Sequence, residues 1–211
     1  MTFRQLSQEE FVNHSASCAQ RSFMQTVEME KLLAKRGFTC QYVGHTNELD
    51  EVTVSAVLYS MPMTGGLHME INCGPVSTNP HDLQHFYREL KTYAKENGAL
   101  ELVVKPYETY QTFDSNGQPT SLEKTELIKD LTDLGYEFDG LQTGYPGGEP
   151  DWHYVKDLAG LTEKDLIKSF SKNGKSTVKK ANTFGIQLKK LKRDELNIFK
   201  EITSATSERR E

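Results

Sequence analysis

The feature that most constrains this chain is an apolar stretch that doubles back on itself. Residues 51–59 and 67–71 are β-rich runs joined by Met61-Pro62-Met63-Thr64-Gly65-Gly66, a turn sequence, and residues 38–43 form a third run just before them. A hairpin-rich antiparallel sheet is therefore predicted. Two helices precede it. Ser7-Gln8-Glu9-Glu10 is a capping box that opens onto Phe11 and Val12, so a helix starts near residue 8. The second covers 26–36, carries Val27, Met29, Leu32 and Leu33, and ends at Gly37. After the sheet, Asn79-Pro80 reads as an N-cap followed by proline at the first helical position. Leu83, Phe86, Leu90 and Tyr93 follow at helical spacing. Residues 100–104 are then a nearly continuous apolar strand, expected to be buried on both faces.

Further on, Asp114-Ser115-Asn116-Gly117 marks a turn, and a helix over 123–134 stops at Gly135. Tyr145-Pro146-Gly147-Gly148-Glu149-Pro150 is the clearest break, which sets units of 1–150 and 151–211. Beyond it a strand at 153–158, two helices from Thr162 to about 184, a strand at 185–191 and a helix from Arg193 are predicted. The last helix reaches Glu211 without a cap, so the second unit is read as truncated. The class is α/β (α+β): a mixed sheet flanked by helices in the order of N-acetyltransferase-like (GNAT) folds, one complete unit plus the start of a second. That fold usually binds the coenzyme A pyrophosphate with a Q/R-x-x-G-x-G/A loop. The loop is absent, which argues against an acyl-CoA enzyme.

Charge is distributed unevenly. The net of −5 divides into 11 Lys+Arg against 21 Asp+Glu in residues 1–150 and 14 against 9 in residues 151–211. From Leu166 to Arg193 there are nine basic residues and no acidic one. The plain reading is a solvated face of two helices; the other is a contact for the phosphates of nucleic acid or of a phosphorylated small molecule. No apolar run approaches the ~18–20 residues of a membrane span. Three scattered cysteines without a CxxC pair, and an N-terminus unlike a signal peptide, lead to the expectation of a cytoplasmic protein.

Motifs for zinc peptidases, P-loops, serine hydrolases and dinucleotide folds are all missing. His81 and His85 stand at i, i+4 and have the spacing to clip a metal, but a surface histidine pair is the plainer reading, and no metal is assigned. Cys73, beside Gly74-Pro75, is read as a small buried thiol rather than a nucleophile. Trp152 is read as packing at a junction rather than stacking on a base.

Seven segments, in order, carry a resemblance. They are Phe23-Met24-Gln25-Thr26, Asn72-Cys73-Gly74-Pro75-Val76, Val104-Lys105-Pro106-Tyr107-Glu108-Thr109-Tyr110-Gln111, Phe138-Asp139-Gly140-Leu141-Gln142-Thr143-Gly144, His153-Tyr154-Val155-Lys156-Asp157-Leu158, Lys179-Lys180-Ala181-Asn182 with Gly185-Ile186, and Thr206-Ser207-Glu208-Arg209. With these the chain resembles the Fem-type peptidoglycan aminoacyltransferases (FemABX family), most of all the streptococcal alanine-adding MurM/MurN enzymes, nearer MurN, and it looks like their N-terminal half. The resemblance implies two acetyltransferase-like subdomains that use aminoacyl-tRNA as co-substrate and no other cofactor. The acceptor it implies is the lysine amine, or growing branch, of the lipid II stem peptide or a muropeptide precursor. It also implies peripheral contact with the cytoplasmic membrane face.

The resemblance also assigns residues. Arg209 matches the arginine that holds the acceptor diphosphate, with Ser207 as a hydroxyl contact; a guanidinium suits phosphate because it donates two parallel hydrogen bonds. The family's phosphate-binding lysine falls at Leu33, between Lys31 and Lys35, and Lys35 is taken as the candidate. Lys105 stands where many relatives have an aspartate lining the acceptor site, which reverses the local charge, and a strand-end surface lysine is the plain alternative. Lys172, Lys175, Lys179 and Lys180 are candidates for tRNA backbone contact. No catalytic base is assigned. Two rival functions stand beside the enzyme: a fragment that binds tRNA or muropeptide without turnover, and a relative of acyl-CoA N-acetyltransferases.

Overall fold

A short strand that the sequence reading passed over, β1 (Thr2–Gln5), pairs antiparallel with the far end of β2 (Thr39–Thr46). β2 pairs with β3 (Val52–Met63), and β3 turns through Thr64 and Gly65 into β4 (Gly66–Asn72). The hairpin is tighter than expected. Met61, Pro62 and Met63 stay in the ladder, and Met63 pairs directly with Gly66. Gly65 (φ +91°) supplies the left-handed conformation that so short a loop requires. The computed structural model describes residues 2–141 and 152–209.

The expected helices form where their caps stand. Ser7 starts α1 (Gln8–Ser17): its side chain accepts from the Glu10 N–H at 3.2 Å, and the Glu10 carboxylate accepts from the Ser7 N–H at 2.7 Å. Thr26 caps α2 (Val27–Lys35). Asn79 and Pro80 open a 3-10 turn that leads into α3 (Leu83–Glu96). α3 then carries the chain across to β6 (Ala99–Lys105), which lies parallel to β4 because a crossover helix returns the chain in the same direction. The strand order is β1-β2-β3-β4-β6, and the two-residue β5 (Val76–Ser77) pairs with β3.

The sheet is covered on both faces. On one, Val43, Val54, Ala56, Leu58, Met69 and Ile71 pack against Phe86, Tyr87, Leu90 and Ala94 of α3. α4 (Glu126–Asp133) adds Leu127 and Leu131 at the margin of this core. The opposite face of β2 and β3 receives α1 and α2, with Phe11 stacked on Tyr42 at 4.6 Å. This is the α/β mixed sheet flanked by helices that the sequence reading expected.

Three expectations need correction. β6 is not buried on both faces. Leu102 and Val104 join the core, but Leu100 is 61% exposed, because it is the extra residue where the register slips between Leu67 and His68. Neither 153–158 nor 185–191 is a strand. A strand needs a neighbour for its backbone groups, and no sheet forms among the described residues of 152–209. The Tyr145–Pro150 break lies outside the described residues, as do Gln142, Thr143 and Gly144 of the fourth segment.

By its contacts the chain divides into two units, Met1–Gly140 and Leu141–Glu211. In the second, Thr162 caps α5 (Glu163–Ser169), Ser171 caps α6 (Lys172–Thr183), and a 3-10 turn leads into α7 (Leu196–Glu208). None of its described residues is buried. Among the described residues no helix is long and apolar enough to cross a membrane.

Candidate functional site

Beyond the Tyr59–Glu70 pair, β3 and β4 separate, and β3 takes β5 as its neighbour instead. The gap leaves the Val57 N–H and the Asn72 carbonyl without ladder partners. Gln25, 2% exposed, fills it: its Oε1 accepts from Val57 N at 2.7 Å and its Nε2 donates to Asn72 O at 2.7 Å. Room for that amide comes from Gly74, where a Cβ would stand 2.6 Å from Gln25 Cδ. Gly74 N in turn donates to the Lys105 carbonyl at 3.1 Å, and Gln20 Nε2 donates to the Tyr107 carbonyl at 3.1 Å. The first three segments of the resemblance thus converge at the carboxyl ends of the parallel strands β4 and β6. In open α/β sheets this is where ligands bind.

On the sheet face away from α3, a row of polar side chains runs toward these strand ends. The carboxylate of Glu70, a residue 8% exposed, meets Lys105 Nζ at 2.7 Å through Oε1 and His68 Nε2 at 3.2 Å through Oε2. His68 Nδ1 meets Glu101 Oε2 at 2.6 Å. Burial alone would raise the Glu70 carboxyl, but hydrogen bonds from Lys105, Tyr59 and His68 outweigh it and hold the group below its ordinary value. Burial would lower His68, and its bonds to Glu101 and Glu70 raise it instead. The result is a fixed, charge-paired strip with the lysine at its outer end.

Of the predicted site residues of the first unit, Lys105 stands at this convergence. Lys35 is an exposed residue in the last turn of α2. In the second unit, Arg209 caps the end of α7, its Nε donating to Ala205 O at 3.1 Å, and Ser207 Oγ donates to Thr203 O at 3.3 Å. Lys172, Lys175, Lys179 and Lys180 are all exposed on α6. Lys175 and Lys179 line an open groove of about 420 Å³ with Ile167, Val178, Asn182 and Thr183.

His81 and His85 are both exposed, and the His85 ring stacks on buried His45 at 6.1 Å. Among the described residues no His/Cys/Asp/Glu cluster could hold a metal. Cys73 is half-buried at φ +52°, with Sγ 3.3 Å from Asn72 Oδ1, and Trp152 keeps 54% exposure.

Sequence reasoning assigned no role to Gln25, Glu70, His68 or Tyr59. The alternation Leu67-His68-Met69-Glu70-Ile71 does carry a signal: it sets His68 and Glu70 on one face and the apolar residues on the other.

Comparison with known proteins follows the same line. The FemAB family profile matches residues 6–211. The chain is 30% identical over 213 residues to "Aminoacyltransferase FemA" of Staphylococcus aureus (strain bovine RF122 / ET3-1), covering 99% of this chain and 51% of the relative. The same figures hold for the FemA of strain MRSA252. The crystal structure of FemX superposes with a TM-score of 0.77 at 19% identity, covering 99% of this chain and 50% of that one, a likeness of fold. The chain spans about half the length of the curated relatives it matches.

Proposed function

The chain belongs to the FemAB family, and from that premise we propose that it is part of an aminoacyltransferase of peptidoglycan bridge synthesis. In this reading an amino acid, alanine by the MurM/MurN resemblance, moves from aminoacyl-tRNA to the lysine amine or growing branch of the lipid II stem peptide. The work is done at the cytoplasmic membrane face. Residues 1–150 are the first acyltransferase-like subdomain and 151–211 the opening of the second. The observation that carries the reading is the convergence of three family segments at the carboxyl ends of β4 and β6, with Lys105 facing out from it.

The chemistry asks for what such a site supplies. An ester-linked amino acid is already activated, so the protein must hold amine and carbonyl in attack geometry and stabilise the oxyanion. Both substrates carry phosphates. Arg209 and Ser207, with Lys35, are assigned to the acceptor diphosphate, and Lys172, Lys175, Lys179 and Lys180 to the tRNA backbone. The missing pyrophosphate loop fits a donor other than coenzyme A.

A second reading is a fragment that binds tRNA or muropeptide without turnover. It is favoured by the second unit, whose described residues include no buried one. The test is transfer from alanine-, serine- and glycine-charged tRNA to lipid II by this chain, beside a chain of the relatives' full length. Transfer by the short chain supports the enzyme and names the donor. Transfer by the longer chain alone supports the binding fragment, and transfer by neither overturns both.

A further inference from the structure

Among the described residues, two buried side-chain atoms lack a hydrogen-bond partner, His45 Nδ1 and Glu89 Oε2, and both belong to one pair. His45 lies on β2 and is 1% exposed, and its Nε2 stands 3.7 Å from Glu89 Oε2 on α3. That separation is beyond the ~3.2 Å of a formed N–H···O bond. Buried polar groups are nearly always paired, so an unmade bond between two of them points to a state in which it is made. The partners differ in freedom. The His45 backbone is fixed in the ladder between Phe3 and Val54, and the His85 ring stacks on its imidazole. The Glu89 side chain keeps 40% of its surface open, which leaves it room to pivot inward. His85 and Glu89 stand one turn apart on α3, on the same side of the helix.

With a carboxylate beside Nε2, the neutral ring keeps its hydrogen there and the free lone pair is on Nδ1. A solvent proton taken up at Nδ1 makes the ring an imidazolium and breaks no other bond. The Nε2–H···Oε2 contact is then charge-assisted, and such bonds shorten to about 2.7–2.9 Å. Four charges act on the ring. Glu89 and Asp82, the latter in the turn before α3, favour the proton; His85 and the N-terminal amine oppose it, and burial opposes it most. We propose that His45 and Glu89 form a proton-operated latch between β2 and α3, open while the imidazole is neutral and closed to hydrogen-bond distance when it is protonated. α3 is the crossover that leads to β6, so the latch governs how firmly that helix is seated on the sheet. The proposal is independent of the aminoacyltransferase reading.

The test is a nuclear magnetic resonance titration of the isotope-labelled 211-residue chain from about pH 8 to about pH 5. Imidazole nitrogens and glutamate side-chain carboxyl carbons are followed together. In the wild type, the large upfield step should fall on His45 Nδ1, with Nε2 changing little. The Glu89 carboxyl carbon should step at the same midpoint. Glu89→Gln should lower the His45 midpoint and His85→Gln should raise it. Glu96→Gln, which removes an exposed carboxylate from the last turn of α3, should leave it unchanged. The signs separate the latch from simple loosening, because a ring released into water rises toward the ordinary histidine value in any variant. A midpoint that Glu89→Gln leaves in place or raises would overturn the pairing. A Glu89 carbon that shows no step at the His45 midpoint would overturn the closure. If Glu89→Gln loses its far-ultraviolet dichroism, the wild-type Glu89 step decides alone, its presence supporting the latch and its absence ending it.

Discussion

Gln25 shows how much one side chain can hold. It stands in for a ladder rung that the diverging strands cannot make, and its two hydrogen bonds, each 2.7 Å, pair the Val57 N–H and the Asn72 carbonyl at the splice. Gln25→Ala strands both Val57 N–H and Asn72 C=O, so a loss of about 2–5 kcal/mol is expected. Urea denaturation followed by circular dichroism would check it, and a loss under ~1 kcal/mol would mean that water or a backbone shift repairs the gap. None of this was legible in the sequence. A glutamine in a turn-like segment shows no need of a partner until strands 30 to 50 residues further on are known to part. Two buried histidines give a second residue-scale effect. Burial lowers His14, which meets Ser55 Oγ at 2.7 Å, and also His45, whose Nδ1 lacks a partner. Each favours folding fully above the ordinary histidine value and loses that contribution as pH falls through its lowered folded value. His68, raised, works the other way: its contribution is present at low pH and lost as pH rises. His14 and His45 act below the ordinary histidine value and His68 acts above it, so unfolding free energy is predicted to fall as pH drops below about 6.5. His45→Gln should flatten that slope, and an unchanged slope would exclude His45 as a contributor.

Elements differ in how much of themselves they declare. A helix satisfies its backbone within its own segment, so caps such as Ser7, Asn79 and Thr162 were readable along with the glycines that end helices at 37 and 135. Strands depend on distant partners. β1 and β5 were missed because four and two residues carry little pattern, and 153–158 and 185–191 were overcalled because their composition suits a strand. The capping box of α1 gives this contrast a measurable form. Arg4 and Ser7 together draw the Glu10 carboxyl down to about 2, so the box is charged at any working pH. Ser7→Ala should cost about 1 kcal/mol, read as a lower midpoint in thermal unfolding. If the midpoint does not move, packing of Phe11 and Leu6 against the sheet, rather than the cap, holds α1 in place.

At the scale of the whole molecule, the segregation of charge decides what the second unit can meet. Residues 1–150 carry ten more acids than bases, whereas residues 151–211 carry five more bases than acids. A uniform surface of the same net charge would repel a polyanion everywhere; this one repels it over the first unit and attracts it over the second. Among the described residues, most of the basic stripe has no acidic partner. Lys168 meets Asp165 at 3.8 Å and Lys189 meets Glu195 at 2.7 Å, while Lys172, Lys175, Lys179 and Lys180 stand exposed along α6. Under the proposed function these four cations contact the tRNA backbone, where they would position it without reading its bases. Binding of tRNA should therefore weaken steeply with salt. Replacing these four lysines by glutamine should lower the slope of log affinity against log salt by about 3 to 4 when all four release counterions. The same replacement at four exposed basic positions of the first unit, Lys91, Lys95, Lys124 and Lys129, should change it little. A slope that survives the α6 replacements would move the nucleic-acid contact off this helix, and one that falls equally for both sets would mean that net charge, not its placement, governs the encounter.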